Sequence, residues 1–354
     1  PKPARSTPAA MLHLRRLVPP ARRLLSTHAA SVTGVAQDIT ELIGNTPAIW
    51  LNKVVPPGAK IIAKLELHNP SSSVKDRLAA AILQDAEERG EVVPGETVLV
   101  EPTSGNTGVA LATLAAAKGY RCILTMPESM SLERRVMLLA LGAEVVLTPK
   151  EKAVQGALDC ANKILEGLEG KGKMLNQFAN AANVKMHRET TGPEIWGHTG
   201  GDVGVFVSGV GTGGTVTGCA EFFKLDKKAP VRVVAVEPEE SPVLSGGTHS
   251  PHKIQGIGAG LVPPVYDASL IDHVEQVNSD DAIDMARRLA KEEGLCVGIS
   301  SGAAVVAAIR ESQLEQNEGK VIVALIPSYG ERYLSTPLFE SLVEEAKNLP
   351  TMRD

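Results

Sequence analysis

The chain of 354 residues is 43% hydrophobic and 22% charged, long enough to bury a core without a disulfide or metal staple. A formal net charge of -5 and only 3% aromatic residues argue against nucleic-acid or anionic-membrane partners, since there is no basic excess to meet phosphates and little ring surface to stack on bases. No apolar run reaches the ~18 residues that a transmembrane helix needs.

Residues 1–37 contain no Asp or Glu but carry Lys2, Arg5, Arg15, Arg16, Arg22 and Arg23, with leucines between them and Pro19 and Pro20 as interruptions. An acid-free, arginine-rich start reads as an organellar transit peptide over 1–38. The arginine pairs ahead of L-L-S-T point to a mitochondrial rather than a plastid or cytoplasmic address. The four cysteines, Cys122, Cys160, Cys219 and Cys296, show neither C-x-x-C spacing nor neighbouring histidines. Zinc and thioredoxin-like chemistry are therefore unsupported, no metal is expected, and buried structural thiols are.

From Ile39 onward, short apolar runs alternate with longer helical patterns. Strands are expected at 60–67, 97–100, 121–126, 144–148, 203–208, 231–236 and 321–326. Helices are expected at 74–89, 108–118, 132–141, 153–168, 217–224, 279–294 and 303–312, with Ser279 opening the penultimate one. Such alternation predicts an α/β fold of two three-layer domains with mostly parallel sheets. The expected division is an N-terminal domain over 39–180, a C-terminal domain over 181–340 and a tail over 341–354, with ligands bound between the halves at strand C-termini.

Three loops carry chemistry. In V-S-G-V-G-T-G-G-T (207–215), a buried strand runs into Gly209, Gly211, Gly213 and Gly214 and then a helix. Glycines let backbone N–H groups close on an anion, and Thr212 and Thr215 add hydroxyls. Neither a P-loop nor a dinucleotide fingerprint fits, so the motif suits a small-molecule phosphate, the alternative being a tight turn with no ligand. In E-P-T-S-G-N-T-G (101–108), Thr103, Ser104 and Thr107 sit at a helix start suited to a carboxylate, and Asn106 is placed to reach a ring hydroxyl. In G-I-S-S-G (298–302), Ser300 or Ser301 is available to a buried heterocyclic nitrogen or simply caps a helix. Lys75, in H-N-P-S-S-S-V-K-D-R, falls in a first helical turn, where the macrodipole disfavours a cation and so lowers its pKa, as a Schiff-base lysine requires; taken alone it reads as a solvated charge, and the company of the other motifs is what singles it out.

These motifs occur together, and the order resembles the cysteine synthase (O-acetylserine sulfhydrylase) family of fold type II pyridoxal-phosphate enzymes, whose fold is tryptophan synthase β-like. The matching segments include E-L-I-G-N-T-P (41–47), N-P-S-S-S-V-K-D-R (69–77), P-T-S-G-N-T-G (102–108), T-T-G-P-E-I-W (190–196), V-G-T-G-G-T (210–215), H-K-I-Q-G-I-G-A-G (252–260), G-I-S-S-G-A (298–303) and P-S-Y-G-E-R-Y-L-S-T (327–336). The resemblance implies that Lys75 bonds pyridoxal 5'-phosphate and moves the substrate α-proton. It implies that Gly211, Thr212, Gly213, Gly214 and Thr215 hold the cofactor phosphate, Asn106 the ring hydroxyl and Ser300 the ring nitrogen. Thr103, Ser104, Asn106, Thr107 and Gln177 would take the substrate carboxylate, with Gly256 and Gly258 lining the site as it closes.

The implied reaction converts O-acetyl-L-serine and sulfide to L-cysteine and acetate through an α-aminoacrylate. A homodimer and docking of the serine acetyltransferase C-terminal tail are implied partners. β-Cyanoalanine synthesis from cysteine and cyanide is the rival reaction, and a non-catalytic serine acetyltransferase-binding partner the rival class. Two features depart from the family pattern: the run after Q-F reads N-A-A-N-V in residues 180–184, and Arg188 stands where an aromatic is common. Both are expected to lie near the active-site rim.

Overall fold

The computed structural model describes residues 34–352 except Ser104, so the leader expected over 1–38 lies almost wholly outside the described residues. The strands are β1 (Ala48–Trp50), β2 (Lys60–Leu65), β3 (Val98–Pro102), β4 (Arg121–Pro127), β5 (Glu144–Thr148), β6 (Gly172–Lys173), β7 (Val203–Gly209), β8 (Arg232–Pro238), β9 (His273–Val277) and β10 (Val321–Ile326). The α-helices are α1 (Lys75–Glu88), α2 (Asn106–Lys118), α3 (Leu132–Ala140), α4 (Ala153–Gly167), α5 (Ala182–Met186), α6 (Gly192–His198), α7 (Gly214–Ala220), α8 (Ser279–Glu293), α9 (Ile299–Ser312) and α10 (Glu340–Lys347).

Two sheets form. The larger runs β1-β2-β10-β7-β8-β9 and the smaller β5-β4-β3-β6, and every pairing is parallel except β1 with β2. The central strand β10, V-I-V-A-L-I, is buried at all its positions, as a parallel strand covered on both faces must be. On one face of the large sheet, Ile61, Val205, Val234 and Ile322 pack with Ile283, Leu289 and Val305 of α8 and α9. On the other, Phe206, Val233 and Val323 pack with Val216, Phe222 and Phe223. The small sheet is likewise layered: Leu99, Leu124, Leu78 and Leu111 form one core, and Val100, Ile123 and Ala161 line the opposite face.

Strands β1 and β2 precede residue 180 yet belong to the sheet built from β7–β10, so the chain enters the larger unit, builds the smaller one and returns. Helix α1 joins the two. Val74, just before it, packs with Phe206 in the large unit's core, while Leu78, Ile82 and Leu83 pack in the small one. Lys75 therefore stands where the two units meet.

Helix α8 opens at Ser279 as expected, capped by Asn278, whose side chain accepts from the Asp281 N–H. Other local expectations are corrected. The helix expected at 217–224 starts earlier, at Gly214, and turns into a π-helix over Glu221–Asp226. The expected tail holds α10. Cys122 and Cys219 are buried, but Cys160 and Cys296 only partly so.

Candidate active site

Val74 is in the cap position of α1, and Ser73 Oγ accepts the N–H of Lys75, the first helical residue, at 3.3 Å. The other serines shape the loop. Ser72 takes a left-handed φ of 59°, and the Ser71 N–H and hydroxyl both donate to the Asp76 carboxylate. Segment 327–333 braces this loop: the Val74 N–H donates to the Pro327 carbonyl at 2.9 Å, the Tyr329 N–H to the Ser72 carbonyl at 3.2 Å, and Ser73 bridges to Ser328. Lys75 has no ion-pair partner among the described residues, and burial lowers its pKa to about 8. Sequence reasoning expected the lowering but attributed it to the helix dipole; loss of hydration is the cause. Burial also raises Asp76 to about 6, against the Ser71 hydrogen bonds that favour its ionised form.

Behind the lysine lies a buried ionic network that sequence reasoning did not foresee. Arg77 donates through Nε to Glu66 at 2.7 Å and through Nη2 to Glu194 at 2.6 Å, and Lys64 meets Glu194 at 2.6 Å. These side chains are 0–7% exposed. Arg77 and its neighbours hold Glu66 near 2 even though burial, the largest influence, works in the opposite direction.

The glycine-rich turn follows β7. A Cβ on Gly211 would come within 2.5 Å of the Gly256 carbonyl oxygen, and one on Gly214 would overlap Asn183. Gly213 has φ 85°, a conformation a side chain would strain. Thr212 accepts from Asn183 Nδ2 at 3.0 Å, and Thr215 Oγ1 lies 3.0 Å from His187 Nε2. His187 opens a π-helix over His187–Thr191, and its other ring nitrogen lies 2.8 Å from Thr191. Burial, followed by the charge of Arg77, drives its pKa down to about 3, so the imidazole is neutral.

The Thr/Asn loop leads into α2. Thr107 Oγ1 donates to Gln177 Oε1 at 2.7 Å, and both residues are buried. Gln177 is placed by Glu101 at the end of β3, whose carboxylate accepts the Leu175 N–H at 3.1 Å. Burial raises Glu101 to about 7. Asn106 opens α2 and accepts from Arg332 Nη1 at 2.8 Å. Thr103 precedes α2, and Ser104 lies outside the described residues. Ser300 is buried in the first turn of α9, and no side-chain hydrogen bond engages it among the described residues. Gly256 has φ 97°, and a Cβ there would stand 3.7 Å from the Ser300 hydroxyl. The Gly258 N–H, on the same loop, donates to the Val210 carbonyl at 3.1 Å.

The three loops thus converge through contacts. Thr107 leads to Gln177, the Gln177 carbonyl to Asn183, and Asn183 to Thr212. Gly211 touches Gly256, and Gly256 approaches Ser300. The Gly298 N–H donates to the Ser328 carbonyl, which returns the chain of contacts to the lysine loop. The sequence reading omitted Asn183, His187 and Arg332, although each lies within or beside a motif it singled out. Arg188 pairs with Asp226 at 2.5 Å and Glu221 at 3.2 Å on the neighbouring π-helix. Together the site offers a poised amine, an amide-lined cradle that excludes side chains, neutral donors behind it, and a serine hydroxyl awaiting a partner.

Residues 39–328 match the family model described as pyridoxal-phosphate dependent enzyme. Cysteine synthase A of Salmonella typhi is 50% identical over 318 residues, covering 88% of this chain and 98% of that one. Cysteine synthase of Staphylococcus aureus is 49% identical over 305 residues, covering 85% and 96%. The crystal structure of cysteine synthase (OASS) from Entamoeba histolytica superposes with a TM-score of 0.83 at 41% identity, covering 93% of this chain and 96% of that one.

Proposed function

This chain belongs to the pyridoxal-phosphate-dependent enzymes and, within them, to the cysteine synthases, and we propose from its own residues how it replaces the β-acetoxy group of O-acetyl-L-serine with sulfide. The observation that carries the reading is that the lysine loop and the glycine cradle share one neighbourhood: Val74 packs with Val210 and Val216, and the Lys75 charge acts on His187, which lies 3.0 Å from Thr215.

The residues fit pyridoxal 5'-phosphate. Gly211 and Gly214 let the turn pack where a Cβ would strike the Gly256 carbonyl or Asn183, Thr212 and Thr215 carry hydroxyls at the cradle, Ser300 is a buried residue whose hydroxyl no side-chain hydrogen bond engages among the described residues, and the neighbouring Ser301 hydroxyl is fully enclosed without a partner there. When bound, the cofactor supplies an electron sink for the bond broken at the substrate α-carbon. Amide N–H groups of residues 211–215 at the start of α7 would hold its phosphate. Ser300 would offer the ring nitrogen a neutral group, which would not enforce protonation as a carboxylate would. Asn106 would bond the ring hydroxyl.

Thr103, Ser104, Thr107 and Gln177 hold the substrate carboxylate at the start of α2, with Asn106 beside them. A helix N-terminus contributes ~0.3–1 kcal/mol to an anion there, and the hydrogen bonds add orientation. Lys75, whose burial favours the neutral amine, takes the α-proton and later returns it. The Gly256–Gly258 loop, tied to the phosphate turn through Val210, closes the site and keeps water out.

The reading extends to a mitochondrial address, on the arginine pattern of residues 1–37, and to a homodimer that accepts the serine acetyltransferase tail, on family membership alone. Steady-state turnover tests the reaction. With O-acetyl-L-serine as donor, sulfide is expected to turn over faster than thiosulfate or cyanide. Faster conversion of cysteine with cyanide would reassign the chain to β-cyanoalanine synthesis.

A further inference from the structure

Asn106 and Arg332 lie 226 positions apart in sequence, on different units of the fold, yet their side chains meet at 2.8 Å. A guanidinium has donors only. The Asn106 atom that faces it must therefore be the amide oxygen, which fixes the orientation of the whole group. The amide NH2 is then turned away from Arg332, with no partner among the described residues. Arg332 is itself held. Its second Nη donates to the Ser71 carbonyl, in the loop that carries Lys75, and its backbone belongs to the 3-10 helix Gly330–Tyr333. Ser328, just ahead of that helix, is locked by a 2.8 Å hydrogen bond to Tyr333. One guanidinium thus spans the lysine loop and the start of α2.

We propose that Arg332 is a positioning residue for the reaction: by occupying the Asn106 oxygen it forces the amide to offer a donor, not an acceptor, to the ring hydroxyl of the cofactor. The inference rests on the assignment of Asn106 to that hydroxyl. Without Arg332 the amide is free to flip, and its oxygen would repel an ionised ring oxygen. With Arg332, the guanidinium charge polarises the amide and makes each N–H a stronger donor, as in other charge-assisted hydrogen bonds. The ring oxygen is held ionised as a result, and its charge sets the colour of the bound cofactor. Because Arg332 also grips the Ser71 carbonyl, it sets the amide in register with the loop that presents Lys75.

A double-mutant cycle on the holoenzyme separates this role from general support of the fold. The readouts are the cofactor dissociation constant by equilibrium dialysis and the visible absorption maximum. Asn106→Ala and Arg332→Met are each expected to weaken cofactor binding about tenfold and to shift the absorption, the size of a lost charge-assisted bond. The double variant is expected to bind no more than about twofold more weakly than Asn106→Ala alone, because Arg332 acts through Asn106. Equal weakening by Arg332→Met with and without Asn106, or no weakening at all, overturns the proposal. An Asn106→Ala protein with unchanged affinity and colour overturns it by a different route, since the assignment of Asn106 to the ring would then be what fails. Should the methionine variant not fold, Arg332→Lys carries the same cycle. Lysine lacks the planar fork that reaches both Asn106 and Ser71, so its effect is expected to vanish in the Asn106→Ala background, and persistence there at full size counts against the proposal.

Discussion

The two sides of the site are built from opposite materials. Behind Lys75 stand four buried ionised groups, Lys64, Glu66, Arg77 and Glu194, joined by bonds of 2.6–2.7 Å. Behind the phosphate cradle stand Asn183 and a neutral His187, with glycines in front. The difference follows from what each side must hold. A lysine that gives up its charge at modest pH needs a rigid mount, and fully paired charges supply directional bonds in a place water cannot reach. A phosphate already carries its charge. Amide dipoles can meet it, and neutral side chains can orient the threonine hydroxyls without competing for it.

The largest effect expected from breaking this contrast lies on the ionic side. Arg77→Met leaves Glu66 and Glu194 buried with only Lys64 to balance them, and chemical denaturation should show a loss of about 3–5 kcal/mol. Removing all four charges together in favour of apolar residues should cost far less, because a well-packed apolar replacement of a buried ion network is often neutral. On the neutral side, Gly214→Ala forces a methyl into the space of Asn183 and displaces the turn. Its stability loss should be smaller, about 1–3 kcal/mol, while cofactor affinity measured by dialysis falls by more than tenfold.

The two sides also answer pH with opposite signs. His187 is depressed from 6.5 to about 3, so its contribution to stability is present above pH 6.5, shrinks as the pH falls and is gone below about 3. Asp76 is raised from 3.8 to about 6, so its contribution is present below pH 3.8 and lost as the pH rises through about 6. Melting curves across this range should show His187→Gln flattening the acid limb and Asp76→Asn flattening the slope between pH 4 and pH 6. The smallest effect belongs to charges outside both networks. Arg288 meets Glu292 on an exposed helix face, and Arg288→Ala should move stability by no more than about 0.5 kcal/mol.

Much of this was legible because it is local. The short apolar run at 121–126, the glycine that ends α2 at Gly119 and the glycine-rich turn at 209–214 each act within a few residues, and the structure has β4, the α2 terminus and the start of α7 at those places. The cradle was read by the same local logic, whereas Lys75 stood out only in the company of the other motifs. What could not be read depends on distance. Arg332 meets Asn106 across 226 positions, Arg77 meets Glu194 across 117, and His187 meets Thr215 across 28. No periodicity encodes such pairings. The short strands β1, β6 and β9 owe their form to neighbouring strands rather than to their own few residues. Nor does local pattern show that α7 packs so closely at Gly218 that a Cβ there would strike the Val184 carbonyl and His187.

The central claim is that one side chain, Lys75, holds the cofactor at this junction. Reducing the cofactor-loaded protein with borohydride, digesting it and reading the peptides by mass spectrometry tests that claim directly. The expected result is a single pyridoxyl-phosphate adduct on the peptide that contains Lys75, absent from Lys75→Ala. An adduct on another lysine, or none on a protein that still makes cysteine, would contradict it.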